Sequence, residues 1–154
     1  MSTARTNGRT SSLTASPNRL VATVFGAVYL LVGLIGFFYT ASTPFAGPGD
    51  QKSNLILGLF AVNPLHNIAH LLIGAALLIA GLGTVSAAKG ANTTVGAVYL
   101  LLGIVGFFLA ATPSSALNFL ALNTADHFLH LASAVVLLAV GLGADRSVNR
   151  SALA

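Results

Sequence analysis

Residues 26–38 read GAVYLLVGLIGFF, and residues 96–108 read GAVYLLLGIVGFF. Each is followed by a second related stretch, NPLHNIAHLLIGAALLIAGLG at residues 63–83 and NTADHFLHLASAVVLLAVGLG at residues 123–143. The repeating unit is therefore a pair of apolar segments whose second member opens with histidines. Four stretches of roughly twenty residues match the thickness of a bilayer core. They lie near Leu20–Thr40, Asn63–Gly83, Thr93–Ala111 and Asn123–Gly143.

Composition agrees with this reading. Charged residues make up 6% of the chain and hydrophobic residues 55%, whereas soluble domains carry about 25% charged residues. The chain has no cysteine, so disulfides and thiolate metal sites are excluded. Its one Met is the first residue, which removes a Met axial ligand. The net charge of +4 does not indicate nucleic acid, because the basic residues are scattered over the flanks of the spans. The first span follows Arg5, Arg9 and Arg19 and could pass for a signal peptide. Its near copy deep inside the chain argues for a retained helix.

Basic residues set an expected topology. Arg5, Arg9, Arg19, Lys89, Arg146 and Arg150 fall on one side and Lys52 on the other. The positive-inside rule places both termini and an 84–92 loop in the cytoplasm of a bacterial inner-membrane, multi-pass protein. Two spans per unit give two parallel repeats, related by a pseudo-two-fold axis along the membrane normal. The expected fold is an all-α bundle of four transmembrane helices. Its parts are a disordered tail at 1–19, the bundle at 20–143 (repeats 20–83 and 93–143) and a polar tail at 144–154. Two short apolar runs, LILGLFAV at 55–62 and ALNFLAL at 116–122, are expected to form interfacial helices over the histidine ends.

Helical periodicity sorts the faces. Asn63-Pro64 is a helix start, with Asn capping and Pro in the first turn. Asn123 takes the same place in the second copy, and Asp126 puts a carboxylate in its first turn. Aligned on these caps, His66 matches Asp126, Asn67 matches His127, and His70 matches His130. His66, His70, Gly74, Leu77 and Gly81 form one stripe, and Asp126, His130, Ala134, Leu137 and Gly141 its equivalent. Gly26, Tyr29, Gly33 and Gly36 mark the first span, and Gly96, Tyr99, Gly103 and Gly106 the third. Small residues allow close helix approach, and ionisable residues in a span face the bundle interior. His70 should lie about 9 Å below its helix start. Side chains lean toward their own helix N-terminus, so Tyr and His are expected to diverge rather than touch.

The polar residues permit several chemistries. His66 and His70 (i, i+4) and His127 and His130 (i, i+3) each put two imidazoles on one helix edge, suitable for a divalent metal, with Asp126 as a further ligand or a tautomer-fixing acceptor. Opposed His70 and His130 could be the axial ligands of haem b, with Gly74 and Ala134 leaving space for the ring. Transport or a proton relay through His and Asp126 would lack an ionisable group in the lower half of each span. The remaining reading is structural, with histidines tying the ends of the bundle together in a non-enzymatic accessory or scaffold protein. No nucleophile turn, phosphate loop or paired carboxylates appear, so no catalytic residue is assigned. Expected partners are the lipid bilayer and a larger membrane complex or a second copy, with no nucleic acid.

The set GAVYLLVGLIGFF followed by NPLHNIAHLLIGAALL resembles a group of small four-span bacterial membrane proteins, largely actinobacterial, known only as a domain of unknown function. The similarity covers about residues 20–143, and its most specific positions are Asn63, Pro64, His66, Asn67, His70 and Gly74. It implies a four-helix membrane domain and brings no activity, cofactor or catalytic residue.

Overall fold

A computed structural model of the protein describes residues 12–48, 53–109 and 117–146. Four helices make up the bundle: α1 (Pro17–Tyr39), α2 (Pro64–Leu82), α3 (Val85–Leu109) and α4 (Thr124–Gly143). Each is long and apolar enough to cross a membrane. Helix α1 packs along α2, and α3 along α4, while the contacts between these two pairs are sparser.

Local sequence explains each helix start. The Ser16 side chain accepts from the Arg19 amide, and Pro17 occupies the first turn of α1. Ser16–Arg19 is thus ordered helix start rather than disordered tail; residues 1–11 lie outside the described residues. Asn63 caps α2 by accepting from the His66 amide at 2.8 Å. Helix α4 opens with a capping box, in which Asn123 accepts from the Asp126 amide and Asp126 accepts from the Asn123 amide.

Two expectations about the connections are overturned. Residues 85–92 are not a loop: α3 begins at Val85, and Thr84 accepts from the Ala87 amide at 3.1 Å. The polar residues of this stretch misled the reading, because Asn92 is polar yet wholly buried against α1. Residues 55–61 are not an interfacial helix either. They form an antiparallel hairpin of β1 (Leu55–Ile56) and β2 (Phe60–Ala61). Leu57 and Gly58 both adopt positive φ at its tip, 54° and 71°. Eight apolar residues interrupted by glycine are too few to hold a helix, and a turn of this kind closes a hairpin. In the second repeat, residues 117–122 make a turn instead of a helix. There Asn118 donates to the Leu122 carbonyl and accepts from the Leu122 amide, each at 2.8 Å. Residues 110–116 lie outside the described residues.

Glycines set how closely the helices approach. A Cβ on Gly26 would sit 2.5 Å from the Leu78 nitrogen, and one on Gly74 would sit 2.7 Å from the Leu30 nitrogen. These are backbone-to-backbone contacts between α1 and α2. In the second pair, a Cβ on Gly96 would meet the Leu138 and Leu137 side chains at 2.9 and 3.1 Å. Gly36 faces the Asn67 side chain, and Gly106, seventy residues later, faces the His127 ring. Below the Tyr pair the centre is apolar: Ala22, Leu77, Ala88, Ala134 and Leu137 are all fully buried.

Candidate functional site

The polar side chains gather at the two ends of the bundle. At the loop end, five rings make a closed circuit between the repeats. Tyr29 meets His70 with ring centroids 5.6 Å apart, and His70 stacks on His66 at 4.5 Å. His66 meets His130 edge-on at 6.3 Å, and His130 stacks on Tyr99 at 4.8 Å. Tyr99 closes the circuit on Tyr29 at 5.6 Å. All five residues are buried. The expected separation of Tyr and His is therefore corrected. The glycine contacts draw the helices so close that the rings touch despite the tendency of side chains to lean apart.

The structure divides the predicted histidines three to one. His66, His70 and His130 belong to the circuit. His127 turns away toward Gly106 and packs on Phe107 with centroids 5.6 Å apart. Among the described residues, no three His, Asp or Glu side chains form a metal-holding group. His66 and His70 present their faces to each other rather than converging edges, with 21° between their planes. Tyr29 and Tyr99 link His70 to His130 along one side of the circuit, and His66 links them along the other. Among the described residues, the Nδ1 atoms of all four histidines, His66, His70, His127 and His130, are buried with no hydrogen-bond partner, and the Tyr29 hydroxyl makes no bond of ordinary length, with the Ser133 and Tyr99 hydroxyls beside it.

Above the circuit, the repeats hold each other's loops. The Asn63 amide group donates to the Phe119 carbonyl at 2.8 Å and to the Gly47 carbonyl at 3.0 Å. The Asn123 amide group donates to the Leu59 carbonyl at 2.8 Å. Asn123 is the repeat mate of Asn63, and Phe119 that of Leu59, each sixty residues on. The two bonds are thus one contact made twice in exchange, the pattern of an isologous interface. Asp126 adds a third tie. Its carboxylate accepts from the Asn123 amide at 2.8 Å and from the Ala61 amide of β2 at 3.2 Å. Asp126 is therefore hydrogen-bonded as a clasp between α4 and the hairpin of the other repeat.

The opposite end carries a second polar cluster that the sequence reading passed over. Asp145 accepts from the Ser16 hydroxyl at 2.9 Å, the Asn18 side chain at 2.9 Å and the Asn18 amide at 3.2 Å. Asn92 donates to the Asn18 carbonyl and side-chain oxygen at 3.0 and 3.1 Å. Asp145, expected in a solvated tail, instead ties the end of α4 to the start of α1. Burial alone would raise its carboxyl pKa. Hydrogen bonds from Asn18 and Ser16, with the Lys89 charge nearby, outweigh that and hold it below the usual carboxylate range. Arg19 donates to the Gly81 and Leu82 carbonyls, and Lys89, its mate seventy residues on, donates to the Ala144 carbonyl at 3.5 Å. These cations satisfy helix ends, where the dipole favours positive charge. Among the sequence signals, paired basic residues one repeat apart could have revealed this role.

The fold and its polar ends define a multi-pass membrane protein built from two interlocked helix pairs. The model of one family, Domain of unknown function (DUF4383), matches residues 19–143, and the chain belongs to that family. No curated protein and no solved structure matches it.

Proposed function

We propose that this protein is a non-enzymatic accessory or scaffold component of a bacterial cell membrane, with both termini in the cytoplasm. The observation that carries the reading is the exchanged Asn63–Phe119 and Asn123–Leu59 pair. Asn63, Asn123 and Asp126 at the loop end are engaged in holding the chain to itself. The buried apolar layer of Leu77 and Leu137 beneath the Tyr pair speaks against a proton or solute path, since charge does not cross such a layer without polar partners. The outward faces carry large apolar side chains, with Phe38 86% exposed and its repeat mate Phe108 78% exposed. Such faces suit lipid, a larger membrane assembly or a second copy.

The competing reading is a metal or haem site on His66, His70 and His130, favoured by their unpartnered Nδ1 atoms. Absorption spectroscopy and elemental analysis of the purified protein separate the two. The scaffold reading predicts a colourless protein with no stoichiometric metal. A Soret band, or a metal lost in His70→Ala/His130→Ala, would overturn it. Proton uptake by vesicles containing the protein, above that of empty vesicles, would also overturn it.

A further inference from the structure

We propose that the cleft between α1 and α4 is a binding site for the ring of a lipid-soluble quinone, entered sideways from the bilayer. Its occupancy goes beyond a scaffold role and does not depend on it. The cleft holds about 260 Å³ and is lined by Val24, Val28, Tyr29, His70, Leu129 and Ser133 among others. Helices α1 and α4 touch sparingly, so the gap lies between the two helix pairs and not within one. At its mouth, Val24, Val28 and Leu129 are 50%, 48% and 44% exposed on the face that meets lipid. At its floor, Tyr29 and His70 are only 6% and 8% exposed. A ligand reaching this floor must therefore pass an apolar mouth within the membrane.

The chemistry of the wall selects the occupant. Among the described residues, no Lys, Arg, Asp or Glu lines the cleft, so a carboxylate or phosphate head would enter without a counter-charge. The head must be neutral. The buried Tyr29 hydroxyl makes no hydrogen bond of ordinary length among the described residues, though the Ser133 and Tyr99 hydroxyls stand beside it, so an acceptor entering the cleft would improve its bonding. A quinone carbonyl is such an acceptor. The Phe25, Tyr29 and His70 rings offer edges and faces for a flat ring, and Phe25 already meets Tyr29 edge-on at 5.7 Å. The volume takes one substituted six-membered ring and leaves its isoprenoid tail in the bilayer. A second cavity of about 120 Å³, roofed by the hairpin, adjoins the first at Val32, His70 and Leu129. It extends the polar floor toward His66 and Asp126, so that His70 stands between the two spaces.

The test uses the full chain in phosphatidylcholine nanodiscs and a photoreactive azidoquinone with a single isoprene unit. Saturable labelling is expected on residues 24–32 and 129–133. Unlabelled quinone of the same tail length should compete, and oleate should not. Tyr29→Phe keeps the ring and removes the donor, and should weaken binding up to about tenfold. Ser133→Phe should fill the cleft and abolish specific labelling. Folding of each variant is checked by its melting temperature, and Tyr29→Phe alone suffices if Ser133→Phe does not fold. Labelling that rises linearly with quinone and spreads over lipid-facing residues would overturn the proposal. So would equal competition by oleate, or labelling unchanged in Tyr29→Phe.

Discussion

The two repeats share a plan and differ in how tightly they execute it. In the first, Gly26 and Gly74 bring the backbones of α1 and α2 into direct contact. In the second, Ala134 stands where Gly74 does, and Gly96 rests on the Leu137 and Leu138 side chains. Asn67 in repeat one donates to Thr40 at 3.1 Å, while its mate His127 packs on Phe107. The first repeat is thus fixed by backbone proximity and hydrogen bonds. The second is packed slightly less closely, with a Cβ on Gly96 3.1 Å from the Leu138 nitrogen and one on Gly141 3.0 Å from the Thr93 nitrogen. Duplication preserved the helix-pair frame and let the contacts inside it diverge.

This difference is open to direct attack. Gly26→Ala should cost about 2–3 kcal/mol of stability, since the new methyl meets backbone that cannot yield. Gly96→Ala should cost about 1 kcal/mol, because the Leu138 nitrogen lies 3.1 Å from the new methyl, farther than the 2.5 Å that separates a Gly26 methyl from the Leu78 nitrogen. Thermal or denaturant unfolding in detergent measures both, and equal losses would erase the proposed asymmetry between the repeats.

Next in size are the exchanged asparagines. Asn63→Ala removes a cap and two donated bonds, and Asn123→Ala removes a cap and one. Losses of about 2 and about 1 kcal/mol are expected, in that order. Unfolding midpoints rank them, and the reverse order would show that the Gly47 and Phe119 carbonyls gain little from Asn63. Asp126→Ala should fall in the same range, as it strands the Ala61 amide that now donates to the carboxylate. Hydrogen exchange at Ala61 should quicken in that variant, and unchanged protection would remove Asp126 from the clasp.

The smallest effect concerns the terminal end. Asp145 has a folded pKa below the ordinary value of about 3.9. Its contribution is therefore complete above that ordinary value and is lost as pH falls through the lower folded one. Exchange protection of the Asn18 amide, which donates to Asp145, should hold at neutral pH and decline only in strong acid. The same decline at neutral pH in Asp145→Asn would support the charge as its cause. Protection indifferent to both would contradict the latch.

The helix count and the inward stripes were legible because lipid leaves few options for a chain of this composition. Gly26, Tyr29, Gly33 and Gly36, like their mates Gly96, Tyr99, Gly103 and Gly106, are all buried. The loops were harder to read. LILGLFAV is short enough to read as helix or hairpin, and the positive φ of Leu57 and Gly58 decides it. The start of α3 was hidden because Lys89 and Asn92 look like loop residues. One satisfies a helix end and the other is buried against α1. The aromatic circuit depends on interhelical distance, which one helix's periodicity does not contain. The Asn18–Asn92–Asp145 cluster joins residues 127 positions apart, a contact that no local pattern announces.

His70 and His130 meet Tyr29 and Tyr99 in the ring circuit that joins the two helix pairs. Thermal unfolding of His70→Ala/His130→Ala in detergent tests this joint most directly. The variant should melt well below the parent protein, with losses of about 2 kcal/mol or more at each site as buried rings become cavities. An unchanged melting temperature would contradict the account and return these imidazoles to the binding of something else.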